Sequence, residues 1–124
     1  MERIGIIGSG TWGTAIAVLL HNNGHQVTLW SAIPEEIEEI GRTHRHKNLP
    51  EVTLPEDITY TADLEEAMRD KRILVMAVPS VFVRSTARRM KPLCKDGQII
   101  VDLAKGIEEN SLKTMSEIIK EEIP

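Results

Sequence analysis

The chain has 124 residues, of which 41% are apolar and 27% are charged, as expected for one globular domain with its own core. The net charge of −4 and the short basic stretches at residues 42–47 and 84–91, which we interpret as solvated faces, argue against a nucleic-acid-binding protein. Its apolar runs are too short for a membrane span or a signal peptide, and the lone Cys94 forms no intramolecular disulfide, which favours a cytoplasmic protein without membrane attachment.

A glycine motif lies between an apolar run at residues 4–7 and an amphipathic segment that begins near Thr11; it reads Gly8-Ser9-Gly10-Thr11-Trp12-Gly13. The order of strand, glycine turn and helix is typical of dinucleotide-binding units. In such a unit Gly8 makes the bend, Gly10 lets a pyrophosphate approach the backbone, and Gly13 lets the helix pack closely on the strand. The anion rests on the helix N-terminus, where backbone N–H groups have no partners within the helix.

The first helix is predicted to bury an apolar stripe and to end at Gly24. The stripe falls at helical spacing and consists of Trp12, Ala15, Ile16, Leu19 and Leu20. Trp12 is therefore expected to be partly buried, with a flat surface left for a cofactor. A second strand at residues 27–30 follows, and its Trp30 is predicted to lie in the core.

Pro34 opens a second helix in which Ile33, Ile37 and Ile40 are predicted to share a buried face. Residues 43–57 are polar and lack periodicity, so we expect a loop there.

A short strand at residues 58–60 precedes a third helix that is capped by Asp63. Continuous apolar runs predict strands buried on both faces at residues 73–78 and 98–103. The last two helices are marked by apolar residues at helical spacing: Val83, Ala87 and Met90, then Leu112, Met115 and Ile119.

Strands and helices thus alternate along the chain, which predicts an α/β fold: a Rossmann-like, doubly wound, mainly parallel sheet in three αβα layers. We expect the strand order 3-2-1-4-5, with a ligand at the carboxyl edge where that order reverses. The segments that follow the strands at this edge should line the crevice: residues 8–13, 31–33, 79–82 and 104–106.

Lys105 and Phe82 lie in two of these segments. The Lys105 ammonium is a candidate partner for a phosphate or a polarised carbonyl. Phe82 either borders a nicotinamide or ribose or packs within its helix. His44 and His46 have no cysteine or acid at ligand spacing, so no metal site is expected.

The end of the second strand normally discriminates between NAD and NADP, because an acid there binds the ribose 2′-hydroxyl and an arginine accommodates the 2′-phosphate. Here Ser31 and Ala32 provide a hydroxyl and no carboxylate. Arg42 and Arg45 follow and could reach in from the next loop. The sequence therefore weakly favours tolerance of NADP.

The motifs of this chain resemble those of the bacterial-type NAD(P)-dependent glycerol-3-phosphate dehydrogenases, in the family's order and over the whole length. They are Ile6-Ile7-Gly8-Ser9-Gly10-Thr11-Trp12-Gly13-Thr14-Ala15, Val27-Thr28-Leu29-Trp30, Asn48-Leu49-Pro50, Thr61-Ala62-Asp63-Leu64, Ala77-Val78-Pro79-Ser80 and Lys105-Gly106-Ile107-Glu108. The resemblance implies that residues 1–124 form the N-terminal NAD(P)-binding domain, truncated before the C-terminal helical substrate domain of the family.

The resemblance further implies an oxidoreductase that reduces dihydroxyacetone phosphate to sn-glycerol 3-phosphate with NADPH or NADH, for phospholipid synthesis. Thr11 and Trp12 would contact the dinucleotide, Phe82 would border it, and Lys105 would touch cofactor and substrate. The general-acid lysine would come from the helical domain, so we expect this chain alone to bind cofactor at best. An apolar surface where that domain docks could drive self-association into a homodimer.

Two departures from the family's pattern concern the cofactor site. Many members have an arginine after the tryptophan of the second strand, where this chain has Ser31-Ala32-Ile33, and an aromatic residue where it has Asn48. Two other functions stay open. One is the cofactor domain of a 6-phosphogluconate- or ketopantoate-type reductase, and the other is a non-catalytic module that senses dinucleotides.

Overall fold

The computed structural model describes residues 1–104, 108 and 111–123. Within these residues, five parallel strands form one sheet in the order β3-β2-β1-β4-β5, which confirms the predicted order. The strands are β1 Arg3–Ile7, β2 Gln26–Trp30, β3 Thr59–Thr61, β4 Ile73–Met76 and β5 Ile99–Asp102. The helices are α1 Thr11–Asn22, α2 Pro34–Thr43, α3 Leu64–Met68, α4 Val83–Met90 and α5 Met115–Glu122, with 3₁₀ turns at Ser80–Phe82 and Lys91–Leu93.

Core clusters lie on both faces of the sheet, because successive side chains of a strand point to opposite sides. Ile4 and Ile6 of β1 join one cluster, to which α1 and α2 contribute, whereas Ile7 joins the other. The second cluster is built against α3, α4 and α5 and includes the fully buried Trp30. The three-layer αβα prediction and the core position of Trp30 are therefore confirmed.

The predicted buried stripe of α1 is wrong in its largest members. Trp12 is 78% exposed and Leu19 is 54% exposed, while the helix buries Gly13, Thr14 and Ala17. The reason is the close approach of α1 to the sheet, which only small side chains permit on the contacting face. Large side chains at neighbouring positions are consequently turned towards solvent.

The edges of several other elements also differ from the sequence prediction. β4 ends at Met76, two residues before the predicted end. Ile33 is not on the buried face of α2 but precedes the helix and is 53% exposed. Leu112 lies before α5 with a positive φ of 60° and is 74% exposed. The helix instead starts after Thr114, which forms a capping box with Glu117, a signal that the sequence contains.

The apolar run at residues 98–103 predicted a strand buried on both faces, and this prediction is wrong. β5 is the edge strand of the sheet. Ile99 and Val101 are 46% and 42% exposed, whereas Ile100 packs on the core. Periodicity alone cannot distinguish these cases, because an apolar run shows no alternation between a covered and an uncovered face.

The second basic stretch is only partly solvated. The Arg84 side chain is only 19% exposed and donates hydrogen bonds to Glu108, Glu121 and Glu122. Arg84 thus connects α4 with α5, through Glu121 and Glu122, and with Glu108, which precedes α5. Hydrogen bonds from Arg84 and then Ser111 lower the pKa of Glu108 from 4.5 to about 2. No helix among the described residues is both long and apolar enough to cross a membrane.

Candidate functional site

The turn between β1 and α1 requires glycine at its first position. Gly8 has a φ of 127°, a conformation that L-residues rarely adopt. A Cβ atom there would lie 2.6 Å from the carbonyl carbon of Ala77, which follows β4. Backbone hydrogen bonds fix the two neighbouring strand ends, since Gly8 N donates to Trp30 O at 3.0 Å and Ala77 N donates to Ile7 O at 2.8 Å.

The other two glycines of the motif face opposite environments. A Cβ atom on Gly13 would collide with the carbonyl oxygen of Gly8. Gly10, by contrast, has no atom within 4 Å of the position that its Cβ would take. Gly8 and Gly13 therefore serve the packing of the turn, and Gly10 leaves open space in front of the backbone. These environments match the three roles that a dinucleotide-binding turn needs.

The N-terminus of α1 faces this open space without a cap from any described side chain. Gly10 is the N-cap residue, and among the described residues no side chain caps the helix and no acid lies in its first turn. Helical hydrogen bonding begins with Thr14 N, which donates to Gly10 O at 2.9 Å. The N–H groups of Thr11, Trp12 and Gly13 precede this bond and, with the positive helix end, suit a phosphate group.

A cleft of about 440 Å³ opens beside the turn. It is lined by the turn, the end of β2, the start of α2, the segment after β4 and one side of α4. The lining residues are Gly8, Ser9, Gly10, Ser31, Ala32, Ile33, Glu36, Val78, Pro79, Phe82, Ser85, Thr86 and Arg89. The ends of β1, β2 and β4 thus meet where the strand order reverses, as expected for a ligand site in an open parallel sheet.

The structure brings most of the predicted site residues together at this cleft, namely Gly8, Gly10, Ser31, Ala32 and Phe82. The others lie elsewhere. Gly13 is buried under the turn, Trp12 is exposed on α1, and Thr11 Oγ1 accepts a hydrogen bond from Asn48 Nδ2 at 3.1 Å. Lys105 lies outside the described residues, as do Gly106 and Ile107.

The two arginines expected to reach this cleft do not line it. Arg45 Nη1 donates to Pro50 O at 3.3 Å within its own loop, and Arg42 is exposed on α2. Ser31 is buried, and its Oγ accepts a hydrogen bond from Ile33 N at 3.1 Å. A ligand oxygen in the cleft is therefore a suitable acceptor for the Ser31 O–H.

Sequence reasoning missed two charged residues of the cleft, Glu36 and Arg89. Ser9 Oγ donates to Glu36 Oε1 at 2.9 Å, which joins α2 to the glycine turn. The Arg89 guanidinium lies over the Trp30 ring, 5.3 Å from its centroid. Glu36 follows Gly13 at roughly the 20-residue distance of a ribose-binding acid, a signal that was available. Arg89 could not be found in this way, because tertiary packing alone places α4 against the end of β2.

The loop that follows α2 folds back onto the glycine turn through His46. This side chain is buried, with Nε2 at 2.9 Å from Ser9 O, and its Nδ1 accepts from Asn48 N at 3.1 Å. Nε2 therefore holds the proton and donates to Ser9.

Tyr60, on β3, is tied to the end of the same loop. Its hydroxyl donates to Pro55 O at 2.7 Å, and burial, followed by the Asp57 charge, raises the pKa of Tyr60 to about 12.

Neither a metal centre nor a reactive thiol is evident in the described part of the chain. No group of three or more His, Cys, Asp or Glu residues there is arranged to hold a metal ion. Cys94 is half-buried, and burial raises the pKa of its thiol, which keeps it protonated near neutral pH.

Comparison with known proteins identifies relatives over the full length of the chain. A family model described as NAD-dependent glycerol-3-phosphate dehydrogenase N-terminus matches residues 3–124. The glycerol-3-phosphate dehydrogenase (NAD(P)+) of Agathobacter rectalis is 55% identical over 125 residues, which cover 100% of this chain and 37% of that protein. The chain spans 36% to 37% of the first curated relatives that it matches.

Solved structures show the same architecture. The crystal structure of glycerol-3-phosphate dehydrogenase from Coxiella burnetii has a TM-score of 0.91 and 28% identity, covering 98% of this chain and 38% of that chain. A ketopantoate reductase from Ralstonia eutropha JMP134 has a TM-score of 0.77 over 98% of this chain and 38% of its own, at 19% identity. The latter likeness shows a shared fold alone.

Proposed function

Because this chain belongs to the NAD-dependent glycerol-3-phosphate dehydrogenase family, we propose that it binds NAD(H) or NADP(H) at the turn formed by Gly8, Gly10 and Gly13. The observation that supports this most directly is the contrast among the glycines. Two positions are closed to any side chain by the packing of the turn, whereas Gly10 faces open space beside an uncapped helix N-terminus.

Three features of the site then have distinct parts in holding the dinucleotide: the start of α1, Ser31 and Phe82. The N–H groups that follow Gly10 bind the pyrophosphate, and the helix dipole adds to their attraction. Ser31 donates its hydroxyl towards the adenosine ribose at the end of β2. Phe82 contacts the cofactor with its ring, and its place in the lining of the cleft, where the side chain is 55% exposed, supports this part.

We propose that the complete enzyme reduces dihydroxyacetone phosphate to sn-glycerol 3-phosphate, with one hydride and one proton added and NAD(P)H oxidised to NAD(P)+. The nicotinamide supplies the hydride when it is bound. Lys105 stabilises the negative charge that develops on the carbonyl oxygen, a part that rests on its motif in the sequence. The matched region covers only 37% of the Agathobacter rectalis relative, and we propose that residues beyond such a region complete the substrate site in the complete enzyme.

A titration with NADH and NADPH tests the binding proposal. Energy transfer from Trp12 and Trp30 to the reduced nicotinamide should give a saturable signal with at least one dinucleotide. No saturable binding of either at millimolar concentration would overturn the proposal. A Gly10→Ala variant should bind both dinucleotides more weakly, since its added methyl group occupies only the open space of the turn, where the pyrophosphate is proposed to lie.

A second candidate function is a module that senses dinucleotides without catalysis. Lys105→Ala separates the two, with Lys120→Ala, an exposed lysine on α5, as the control for loss of one positive charge. If Lys105 contacts cofactor and substrate, Lys105→Ala should weaken dinucleotide binding and should slow the reduction of dihydroxyacetone phosphate by the complete enzyme. Unchanged dinucleotide binding by Lys105→Ala, together with no reductase activity of the complete wild-type protein, would favour the sensing module.

We also propose that the protein works in the cytoplasm, on the basis of its single cysteine. Self-association into a homodimer stays a prediction, which the partly exposed Ile99 and Val101 on β5 support and sedimentation measurements would test.

A further inference from the structure

A carboxylate lies at the wall of the cleft, although the end of β2 provides none. The residues at the end of β2, Ser31 and Ala32, have no charge, yet Glu36 from the first turns of α2 lines the same cleft. Among the described residues that line it, Glu36 is the only carboxylate. An acid that reads the ribose normally comes from the end of the second strand; here α2 brings one to the same cleft.

The Glu36 carboxylate is held against the glycine turn. Ser9 Oγ donates to Glu36 Oε1 at 2.9 Å, and Ser9 itself is only 4% exposed. The backbone oxygen of Ser9 is bonded in turn by Thr14 Oγ1 at 3.0 Å and by His46 Nε2 at 2.9 Å. These bonds fix the segment that the carboxylate contacts, so the negative charge stays next to the turn that receives the pyrophosphate.

We propose that Glu36 is the residue that selects NAD(H) over NADP(H), by accepting a hydrogen bond from the 2′-hydroxyl of the adenosine ribose. The inference rests on the proposed function, since it assumes that the dinucleotide lies in this cleft. A 2′-phosphate would bring a second negative charge beside the carboxylate in a partly dehydrated site, where like charges repel strongly. The selection is thus by repulsion as well as by attraction.

Arg89 could instead favour NADP(H), since it is the only cation among the described residues that line the cleft. Its guanidinium is placed over the Trp30 ring. Glu36 has a direct hydrogen bond to the glycine turn, and the ribose lies between the pyrophosphate at that turn and the adenine. The carboxylate is therefore the charge that the 2′ position meets first.

Dissociation constants for NADH and NADPH, measured by fluorescence on the wild-type protein and on Glu36→Gln, test the assignment. Glutamine keeps the size of the side chain and an oxygen that accepts from Ser9, and it removes the charge. The wild type should prefer NADH, and the ratio of the two constants should shift towards NADPH by about tenfold or more in the variant. Glu35→Gln, on the exposed side of the same helix turn, is the matched control and should leave the ratio unchanged.

Glu36→Ala should shift the ratio in the same direction, and thermal unfolding of each variant monitors the fold. Equal changes for both dinucleotides in Glu36→Gln, or the same shift in Glu35→Gln, would overturn the assignment while leaving the binding proposal intact. A wild-type protein that prefers NADPH would also overturn it and would point to Arg89. Binding of neither dinucleotide to the wild type would instead overturn the proposed function, and this inference with it.

Discussion

Gly13 lies so close to Gly8 that a Cβ atom on Gly13 would collide with the Gly8 carbonyl oxygen, and it would also approach the Cβ atom of Ala77 to 3.2 Å. The first turn of α1 is therefore packed directly against the bend at the end of β1. This contact explains why α1 buries its small residues and exposes Trp12. It also means that the position of the helix N-terminus, and of the N–H groups there, depends on the absence of one side chain.

Replacing Gly13 with alanine should destabilise the protein. The added methyl group meets a backbone carbonyl, which cannot rotate away as a side chain can, so we expect a loss of about 1–3 kcal/mol in the free energy of unfolding, towards the upper end of that range. Urea denaturation followed by circular dichroism measures it. A Gly13→Ala protein as stable as the wild type would show that α1 can move away from the turn without cost.

Replacing Gly10 with alanine should weaken dinucleotide binding and leave the fold unchanged. Gly10 has a φ of −66° and a ψ of −175°, which alanine adopts without strain, and its Cβ would meet no protein atom within 4 Å. Stability should stay within about 0.5 kcal/mol of the wild type. The methyl group would occupy the space of the pyrophosphate, so the dissociation constant should rise about tenfold or more.

Leu19→Ala provides the comparison for Gly10→Ala, because Leu19 is exposed on the same helix and lies in its C-terminal half, away from the glycine turn. It should not change the dissociation constant. Equal affinities of Gly10→Ala and the wild type would mean that the pyrophosphate does not approach the backbone at Gly10.

Arg84→Met should remove part of the acid dependence of stability. In the wild type, hydrogen bonds from Arg84 and then Ser111 lower the pKa of Glu108 from 4.5 to about 2, and Arg88 followed by Arg84 lowers that of Glu122. A carboxyl group with a lowered pKa in the folded state stabilises the fold fully above its unfolded pKa. For Glu108 this contribution is lost as the pH falls from about 4.5 to about 2.

Urea denaturation at pH 7, 4.5 and 3 would reveal this effect. The difference in stability between wild type and Arg84→Met should be largest at pH 7 and should shrink as the pH falls. Arg69→Met is the matched control, because Arg69 forms an exposed pair with Glu65 at 3.4 Å and should contribute little at any pH. A difference that is constant across the three pH values would contradict the assigned role of the Arg84 pairs.

The two tryptophans should report from opposite environments. Trp30 is fully buried and its Nε1 donates to Ala62 O at 3.0 Å, whereas Trp12 is 78% exposed. In a Trp12→Phe variant the remaining emission should be blue-shifted and should resist acrylamide. In Trp30→Phe it should be red-shifted and readily quenched. Similar quenching of both variants would be inconsistent with the exposed position of Trp12.

Much of the architecture follows from the order of local patterns along the chain. Alternating apolar runs and amphipathic segments predict a parallel sheet with helices on both faces, and the spacing of Gly8, Gly10 and Gly13 predicts the turn and the separate part of each glycine. The sheet and the packing of the turn agree with these predictions, because they depend on neighbouring residues, namely backbone freedom at a bend and the period of a helix or strand. The part of Gly10 in binding a pyrophosphate stays a prediction.

Only the tertiary structure decided which faces are covered and which charges meet. The exposure of Trp12 depends on how closely α1 crosses the sheet, and the half-exposed β5 depends on its place at the edge. Ser31 and Ala32 at the end of β2 provide no acid for a ribose, whereas folding brings Glu36 and Arg89 to the cleft from α2 and α4. Such contacts join residues far apart in the chain, so packing sets them and local preference does not.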